Sequence, residues 1–201
     1  MLPVFSSVKF FHVKEFSSHN FRASIFRETI KTTHRIPLCM AVKIKNRHRL
    51  KEREVKELAN SLKTRFQGDF LNESVTVDVG TLEEFTVLLV NDSIDFILHD
   101  NKLVFTLQGL NKYQPKTHFV VVDMGAVGFI TKGADVMAPG VVDADPDIQK
   151  DDLVWICDEK HRKPLAVGVA VMNGEDMKTM KTGKAVKTLH YVGDRLWTLT
   201  H

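Results

Sequence analysis

The stretch that decides the fold is Phe119-Val-Val-Val-Asp-Met-Gly-Ala-Val-Gly-Phe-Ile-Thr-Lys-Gly-Ala-Asp-Val-Met-Ala-Pro-Gly-Val-Val142. Its first four residues are apolar and mostly β-branched, which predicts a strand, and the residues after them have the apolar spacing of a short helix that Lys132-Gly133 closes. Ala134 to Met137 predicts a second short strand before a turn at Pro139-Gly140. Eight of the eleven glycines lie within residues 125–193. Because glycine permits positive φ angles and close backbone packing, we expect the functional site in this half of the chain.

The composition is that of a globular protein. The 201 residues are 43% hydrophobic, enough for one good core or two small ones, and the net charge is only +3. A protein that covers its whole surface with positive charge is excluded, so any RNA site must be a local patch. Cys39 and Cys157 lie far apart and match no redox or zinc pattern, which fits a reducing cytosol. No apolar run approaches the roughly 18 residues of a membrane span. We therefore expect a soluble, cytoplasmic protein.

Residues 1–39 differ from the rest of the chain. They are basic, rich in Ser and Phe and poor in acids, which is the composition of an organelle transit peptide. No clean amphipathic arginine helix is present, however, and Met40 opens directly into a patterned segment. The sequence therefore favours Met40 as the native start, with residues 1–39 an N-terminal extension that is either not native or disordered.

Residues 40–114 are predicted to form a first domain. Val42–Ile44 alternates like a short strand, and residues 47–66 place an apolar stripe on one helical face, with Gly68 as the stop signal. Strands separated by Asn-Asp and Asp-Asn turn signals predict an antiparallel meander over residues 75–79, 85–90, 94–98 and 103–105, followed by a short helix at 107–112. A helix packed on a small antiparallel sheet is an α+β domain.

Residues 115–201 are predicted to form a second, mainly-β domain. After the opening stretch, residues 143–152 predict a polar turn region. Short strands at 153–157, 164–171 and 185–191, with a helical turn at 173–180 before the last, predict a small closed or half-closed barrel.

Most site chemistry has no support in the sequence. Asp143-x-Asp145-x-Asp147 has the carboxylate spacing of a calcium loop, but Ile148 and Val154 occupy the places of the turn glycine and the bidentate glutamate. The nine histidines show no metal-ligand spacing, and no nucleophile or phosphate-loop motif occurs. We expect no metal, no cofactor and no enzyme activity.

A binding surface remains. Lys132 and the backbone of Gly133-Ala134 are suited to contact a phosphate or a base edge. Four lysines near the end of the chain favour the same function or a solvated lysine-rich face: Lys178, Lys181, Lys184 and Lys187.

From about His118 onward the chain resembles the PUA domain, an RNA-binding module. The resemblance is carried by four ordered motifs, at residues 132–141, 142–154, 164–168 and 183–187, together with a late Trp197. Arg47-His48, with the helix after it and a small sheet, is similar to the N-terminal domain of the malignant T-cell-amplified-sequence family and its archaeal relatives.

That resemblance implies a pseudobarrel that grips RNA between its first helix and its last strand. The implied RNA-binding residues are Phe129, Lys132, Gly133, Ala134, Asp135, Val136, Met137, Lys184 and Lys187. It also implies action in translation at the small ribosomal subunit or on tRNA, in initiation or recycling, with structured rRNA or tRNA and an initiation-factor-like protein as partners. The carboxylate of Asp135 would oppose a phosphate or accept a hydrogen bond from a base amino group.

Two other functions stay open. The first is an RNA-binding accessory subunit of an RNA-modification enzyme, whose active site would be on another chain. The second is a protein-interaction module in which the helix of residues 47–66 binds a partner and the PUA domain is a scaffold.

Overall fold

A computed structural model of the protein describes residues 43–72 and 75–200. Five strands of its first half form an antiparallel sheet in the order β1-β2-β3-β4-β5. The structure confirms the prediction of a helix combined with a small antiparallel sheet. The elements are β1 (Lys45–Arg49), α1 (Glu52–Phe66), β2 (Val77–Leu82), β3 (Phe85–Val90), β4 (Ser93–His99), β5 (Lys102–Phe105) and α2 (Leu107–Tyr113).

Helix α1 begins later than the sequence predicts. The backbone N–H of Lys51 donates to the carboxylate of Glu54 at 2.8 Å, which satisfies a donor before the first turn. The helix ends at Phe66, where the left-handed Gln67 (φ 52°) donates its N–H to the carbonyl of Lys63. The prediction that residues 47–51 belong to the helix was wrong, because residues 45–49 pair with β2 as an edge strand. The strand predicted at Val42–Ile44 lies partly outside the described residues.

The second half is a six-stranded sheet in the order β7-β11-β10-β9-β6-β8. Strand β6 runs parallel to β9, and every other neighbouring pair is antiparallel. The elements are β6 (Phe119–Val122), α3 (Met124–Ile130), β7 (Val136–Met137), β8 (Val141–Ala144), β9 (Leu153–Asp158), β10 (Pro164–Ala170), α4 (Gly174–Thr179), β11 (Lys184–Tyr191) and α5 (Arg195–Thr200).

The connection between the two edge strands makes this sheet nearly a barrel. Strands β7 and β8 lie at opposite ends of the strand order, yet only the 3-10 turn Ala138–Gly140 joins them. Three residues span about 10 Å at most. The sheet must therefore curl until its two edges meet, which confirms the predicted PUA-type pseudobarrel.

Two elements of this half differ from the prediction. Residues 143–152 were predicted as a polar turn region, but Asp143 and Ala144 belong to β8, where Ala144 pairs with Val120 and is buried. Helix α5 was not predicted. Both elements are short and have no periodicity of their own to detect, so their packing partners determine them.

Strands β9 and β10 contribute to two different cores. Leu153 and Trp155 point from β9 into the cluster that also contains α1 and the first sheet, whereas Val154 and Ile156 point into the barrel. Successive side chains of a strand face opposite sides, so one face of β9 packs on the first half while the other fills the second.

His190 links the two halves by a hydrogen bond to Leu107. It is 2% exposed, its Nδ1 lies 2.6 Å from Asp194 Oδ2, and its Nε2 lies 3.4 Å from the backbone nitrogen of Leu107. Because the Leu107 N–H can only donate, Nε2 accepts and the proton is on Nδ1, which donates to Asp194. On the surface, Arg195 of the second half forms an ion pair with Glu83 of the first half. Among the described residues, no helix is both long and apolar enough to cross a membrane.

Candidate functional site

Five of the nine residues predicted from the resemblance line one groove between α3 and β7, namely Phe129, Ala134, Asp135, Val136 and Met137. Lys132 and Gly133 are in the turn after α3, and Lys184 and Lys187 are on β11. Phe129 is in the last turn of α3, residues 132–135 form the turn after it, and residues 136–137 are strand β7. Lys184 pairs with Met137 across the β11–β7 ladder. The tertiary structure therefore brings Lys184 and Lys187 to residues about 50 positions earlier in the chain.

The turn after α3 has a backbone geometry that depends on Gly133. The carboxylate of Asp123 starts the helix by accepting from the N–H of Ala126 at 2.7 Å, and the N–H of Ala134 returns to the carbonyl of Phe129 at 3.1 Å. Gly133 has a φ of +86°, and a Cβ at this position would lie 2.8 Å from the Cζ atom of Tyr191. Only glycine fits both the conformation and the contact.

The carboxylate of Asp135 is used within the protein. Its Oδ2 lies 2.5 Å from Lys184 Nζ, and its Oδ1 accepts the backbone N–H of Thr188 at 2.9 Å. The Thr188 hydroxyl also donates to the carbonyl of Ala134 at 3.0 Å. Together these contacts fix the turn after α3 to the last strand and hold the Lys184 ammonium at the groove.

These partners keep Asp135 ionised. The hydrogen bond from Lys184 is the main cause of a pKa below the ordinary aspartate value, and the Thr188 N–H and the charge of Lys187 act in the same direction. Burial acts in the opposite direction and does not prevail. The groove therefore carries one fixed negative charge beside its lysines at neutral pH.

The floor of the groove is apolar and open. Phe129 is 69% exposed and Met137 is 50% exposed, which is unusual for side chains of this size. Val136, by contrast, is buried and faces the barrel core. A cavity of about 210 Å³ lies here, lined by Ala126, Phe129, Ile130, Ala134, Asp135, Val136, Met137 and Gly140. A second cavity of about 280 Å³ lies in the first half, and none of the nine predicted residues lines it.

Two cations at the groove are available to a ligand. Lys132 and Lys187 are exposed, and within the described part of the chain neither forms an ion pair. Lys178 and Lys181 are also exposed but lie on α4 and in the loop after it, not on β11. Of the four lysines predicted near the end of the chain, only Lys184 and Lys187 are therefore on β11 beside the groove.

Several residues of the site were not predicted from the sequence. Tyr191 covers Gly133, Thr188 binds the turn, and Ala126 and Gly140 line the cavity. The sequence carries no signal that pairs Thr188 with Asp135 across 53 positions. Gly140 was noted only as a turn residue.

Asp145 and Cys157, which the sequence offers as possible site residues, have structural roles. Asp145, at the centre of the three-aspartate spacing, accepts from the N–H of His118 at 2.6 Å and from the N–H of Asp147 at 3.0 Å, so it shapes a turn. Residues 43–72 and 75–200 contain no group of three His, Cys, Asp or Glu side chains suited to a metal. Cys157 is fully buried, and burial raises the pKa of its thiol to about 11.

An α+β region followed by a pseudobarrel with this groove defines a PUA-type protein, and the matches to known proteins agree. Residues 118–192 match the family model of the PUA domain, and residues 46–113 match that of a domain of unknown function, DUF1947. The chain belongs to the family that joins these two regions, and it is homologous to the malignant T-cell-amplified-sequence and translation machinery-associated proteins.

Individual relatives match along most of the described chain. An uncharacterized protein of Methanocaldococcus jannaschii is 40% identical over 158 residues, covering 78% of this chain and 98% of that protein. Malignant T-cell-amplified sequence 1 of Danio rerio is 28% identical over 165 residues, covering 77% and 91%. Translation machinery-associated protein 20 of Eremothecium gossypii is 29% identical over 124 residues, covering 59% and 68%. The crystal structure of a hypothetical protein from Pyrococcus horikoshii has a TM-score of 0.71 at 37% identity, covering 77% of this chain and 99% of that chain.

Proposed function

We propose that this protein is a non-enzymatic RNA-binding protein that acts in translation, at the small ribosomal subunit or on tRNA during initiation or recycling, in the cytoplasm. The observation that carries the proposal is the groove beside α3, where an exposed aromatic ring lines an apolar cavity on a PUA domain that also carries exposed lysines. Relatives named for the translation machinery support the cellular process. The partners we propose are structured rRNA or tRNA and an initiation-factor-like protein.

The groove offers the two kinds of contact that RNA needs. The ring of Phe129 is exposed enough to stack on an unpaired base, which is worth about 1–3 kcal/mol per base. Lys132 follows α3, Lys187 is on β11, and both are exposed, so they can neutralise phosphates of an RNA bound there. Recognition of a structured end or loop follows more naturally from this arrangement than reading of a long sequence.

The exposed face of α3 allows close approach. Gly128 is exposed, and a Cβ at this position would meet nothing within 4 Å, so no packing contact inside the protein requires glycine here. Glycine in a helix costs about 0.5–1 kcal/mol relative to alanine. A sugar-phosphate backbone lying directly on the helix would account for that cost.

The direct test is charge reversal of the two available cations. Lys132→Glu with Lys187→Glu should reduce the affinity for a tRNA or a small-subunit rRNA fragment by more than about tenfold, measured by filter binding at fixed salt. The matched control reverses two exposed lysines elsewhere, Lys102→Glu with Lys150→Glu. Equal losses in both variants would show only a general charge effect, and unchanged binding in the groove variant would refute the proposal.

The cellular RNA separates this function from its rival among RNA-modification complexes. Ultraviolet crosslinking in cells, with sequencing of the attached RNA and mapping of the crosslinked peptide, should recover small-subunit rRNA or tRNA on residues 124–137. Recovery of guide RNA or of modification substrates would favour the accessory-subunit function. Recovery of no RNA above background would favour the protein-interaction module.

A further inference from the structure

The turn between β9 and β10 carries a second group of cations. All five residues from Glu159 to Lys163 are exposed. Three of them are cationic, namely Lys160, Arg162 and Lys163, and another, at position 161, is a histidine. Within the described residues, Lys160 and Lys163 form no ion pair. A concentration of positive charge this local stands out in a chain whose net charge is only +3.

The backbone of this turn is fixed by a buried carboxylate. Asp158 is 5% exposed and accepts from the N–H of His161 at 2.6 Å and from the N–H of Lys163 at 3.0 Å. Burial acts to raise the pKa of Asp158, but these backbone hydrogen bonds prevail and lower it. The basic side chains therefore project from a turn whose backbone is fixed by hydrogen bonds. This pre-organisation reduces the conformational entropy lost when they bind a ligand.

The turn is attached to the helix of the groove. The N–H of Glu159 donates to the carbonyl of Val122 at 3.0 Å, and the Glu159 carboxylate accepts the N–H of Met124, the first residue of α3, at 3.1 Å. The acid of the turn is thus occupied at the start of α3. The seven residues of α3 span about 10 Å, with the turn at one end and Lys132 just beyond the other.

Arg162 is oriented by its neighbours. Its guanidinium lies 5.6 Å from the centroid of the Phe119 ring, and its Nη2 lies 3.8 Å from Asp143 Oδ2. The side chain is 55% exposed, so the guanidinium is accessible to a ligand. Its charge is partly balanced by Asp143, which leaves Lys160 and Lys163 as the main contributors to the field of the turn.

We infer that the turn Glu159–Lys163 is a second RNA contact, at which Lys160, Arg162 and Lys163 bind the sugar-phosphate backbone of the RNA whose end occupies the groove. The RNA then follows α3 along its length, from Lys132 to the turn. This inference rests on the proposed function and adds to it that the ligand must extend past the groove, as a stem adjoining an unpaired end does. The contact is to phosphates, so it does not depend on base sequence.

Two RNA lengths separate the two contacts. The probes are a single strand of about four nucleotides, which fills only the groove, and a stem-loop of about 12 base pairs with an unpaired 3′ tail. The variants are Lys160→Ala with Lys163→Ala in the turn, Lys132→Ala with Lys187→Ala in the groove, and Lys102→Ala with Lys150→Ala as the matched control. Affinity is measured between about 50 and 200 mM salt, where each phosphate contact to a duplex contributes about 0.9 to the slope of log K against log salt.

The turn variant should bind the stem-loop about tenfold more weakly, with a slope reduced by about 2, and should bind the short strand like the wild type. The groove variant should bind both probes weakly.

The inference is overturned if the turn variant keeps the affinity and slope of the wild type for the stem-loop while the groove variant loses them, and the proposed function then stands. If the groove variant also binds both probes normally, the proposed function fails with it.

Discussion

A single carboxylate, that of Asp135, connects the turn after α3 to β11. Its chemistry alone suggested either repulsion of a phosphate or recognition of a base amino group. The structure instead shows both oxygens engaged, one with Lys184 and one with the Thr188 N–H. Its effect on a ligand is therefore indirect, through the position of Lys184 and through the negative charge it adds to the groove.

Asp135→Asn should strengthen RNA binding. The change removes one negative charge from the groove and releases Lys184, and one such charge at contact distance is worth about 1 kcal/mol in water, which corresponds to roughly fivefold in affinity. Fluorescence anisotropy with a labelled tRNA measures the effect. Asp100→Asn, an exposed change in the first half, is the control and should leave the affinity unchanged. A loss of affinity in Asp135→Asn would mean that the carboxylate itself contacts the RNA.

The same residue should contribute to stability in a pH-dependent way. The folded pKa of Asp135 lies below the value of about 3.9 expected in the unfolded chain, so the ionised carboxylate stabilises the folded state above that pH. This contribution is lost as the pH falls through the folded pKa. The difference in free energy of unfolding between wild type and Asp135→Asn, measured in urea, should be largest near neutral pH and smaller at about pH 3. A difference that grows in acid would contradict this account.

Two glycines of the site should respond in opposite ways to alanine. Gly133→Ala combines a φ of +86° with a clash against the Tyr191 ring and should destabilise the fold by about 1–3 kcal/mol.

Gly128→Ala places a methyl group in open space on α3 and should stabilise the fold by about 0.5–1 kcal/mol. Thermal unfolding measures both. If RNA lies on α3, Gly128→Ala also binds RNA more weakly although it is more stable, and unchanged affinity would argue against that contact.

At the scale of elements, the segments with a regular apolar pattern and clear turn signals were the ones predicted correctly. The meander was predicted well because its turns carry clear signals, and β3 has the predicted bounds, Phe85–Val90. The start of α1 was predicted too early because the charged residues 47–51 fit a helix surface as well as an edge strand. Their pairing with β2, as in Arg49 opposite Asp78, joins segments that are distant in the sequence, so no local pattern predicts it.

The short elements were harder for the same reason. Strand β8 and helix α5 have four and six residues, too few to show a period. For the site, the motifs placed the nine residues in two regions of the sequence, residues 129–137 and residues 184–187. They could not show that Val136 faces the core, that Asp135 holds Lys184, or that the turn at 159–163 adjoins α3, because each depends on contacts between distant segments.

At the scale of the whole molecule, both halves contribute to one of the two hydrophobic cores. Leu153, Val167 and Leu196 come from the second half and lie in the same cluster as α1 and the first sheet. We therefore expect a single cooperative unfolding transition over residues 43–200, although the sequence matches two separate family models.

Leu196→Ala tests this coupling. The side chain is fully buried, so its truncation should cost about 2–5 kcal/mol. Because the core is shared, amide hydrogen exchange should accelerate in β3 and β4 of the first half as well as in β11, measured by mass spectrometry. Val171→Ala, at a partly exposed position, should change stability by less than about 0.5 kcal/mol. Faster exchange confined to the second half would show that the halves unfold independently.

The shared core has a consequence for biosynthesis. Leu196 lies in the same hydrophobic cluster as Leu62 and Phe66 of helix α1, yet it is synthesised 130 residues after Phe66, where that helix ends. A nascent chain that has emerged only as far as α2 therefore exposes apolar surface that nothing in its own sequence can yet cover, which makes it a target for chaperones. Synthesis of nearly all of the described chain must be finished before either half reaches its native packing.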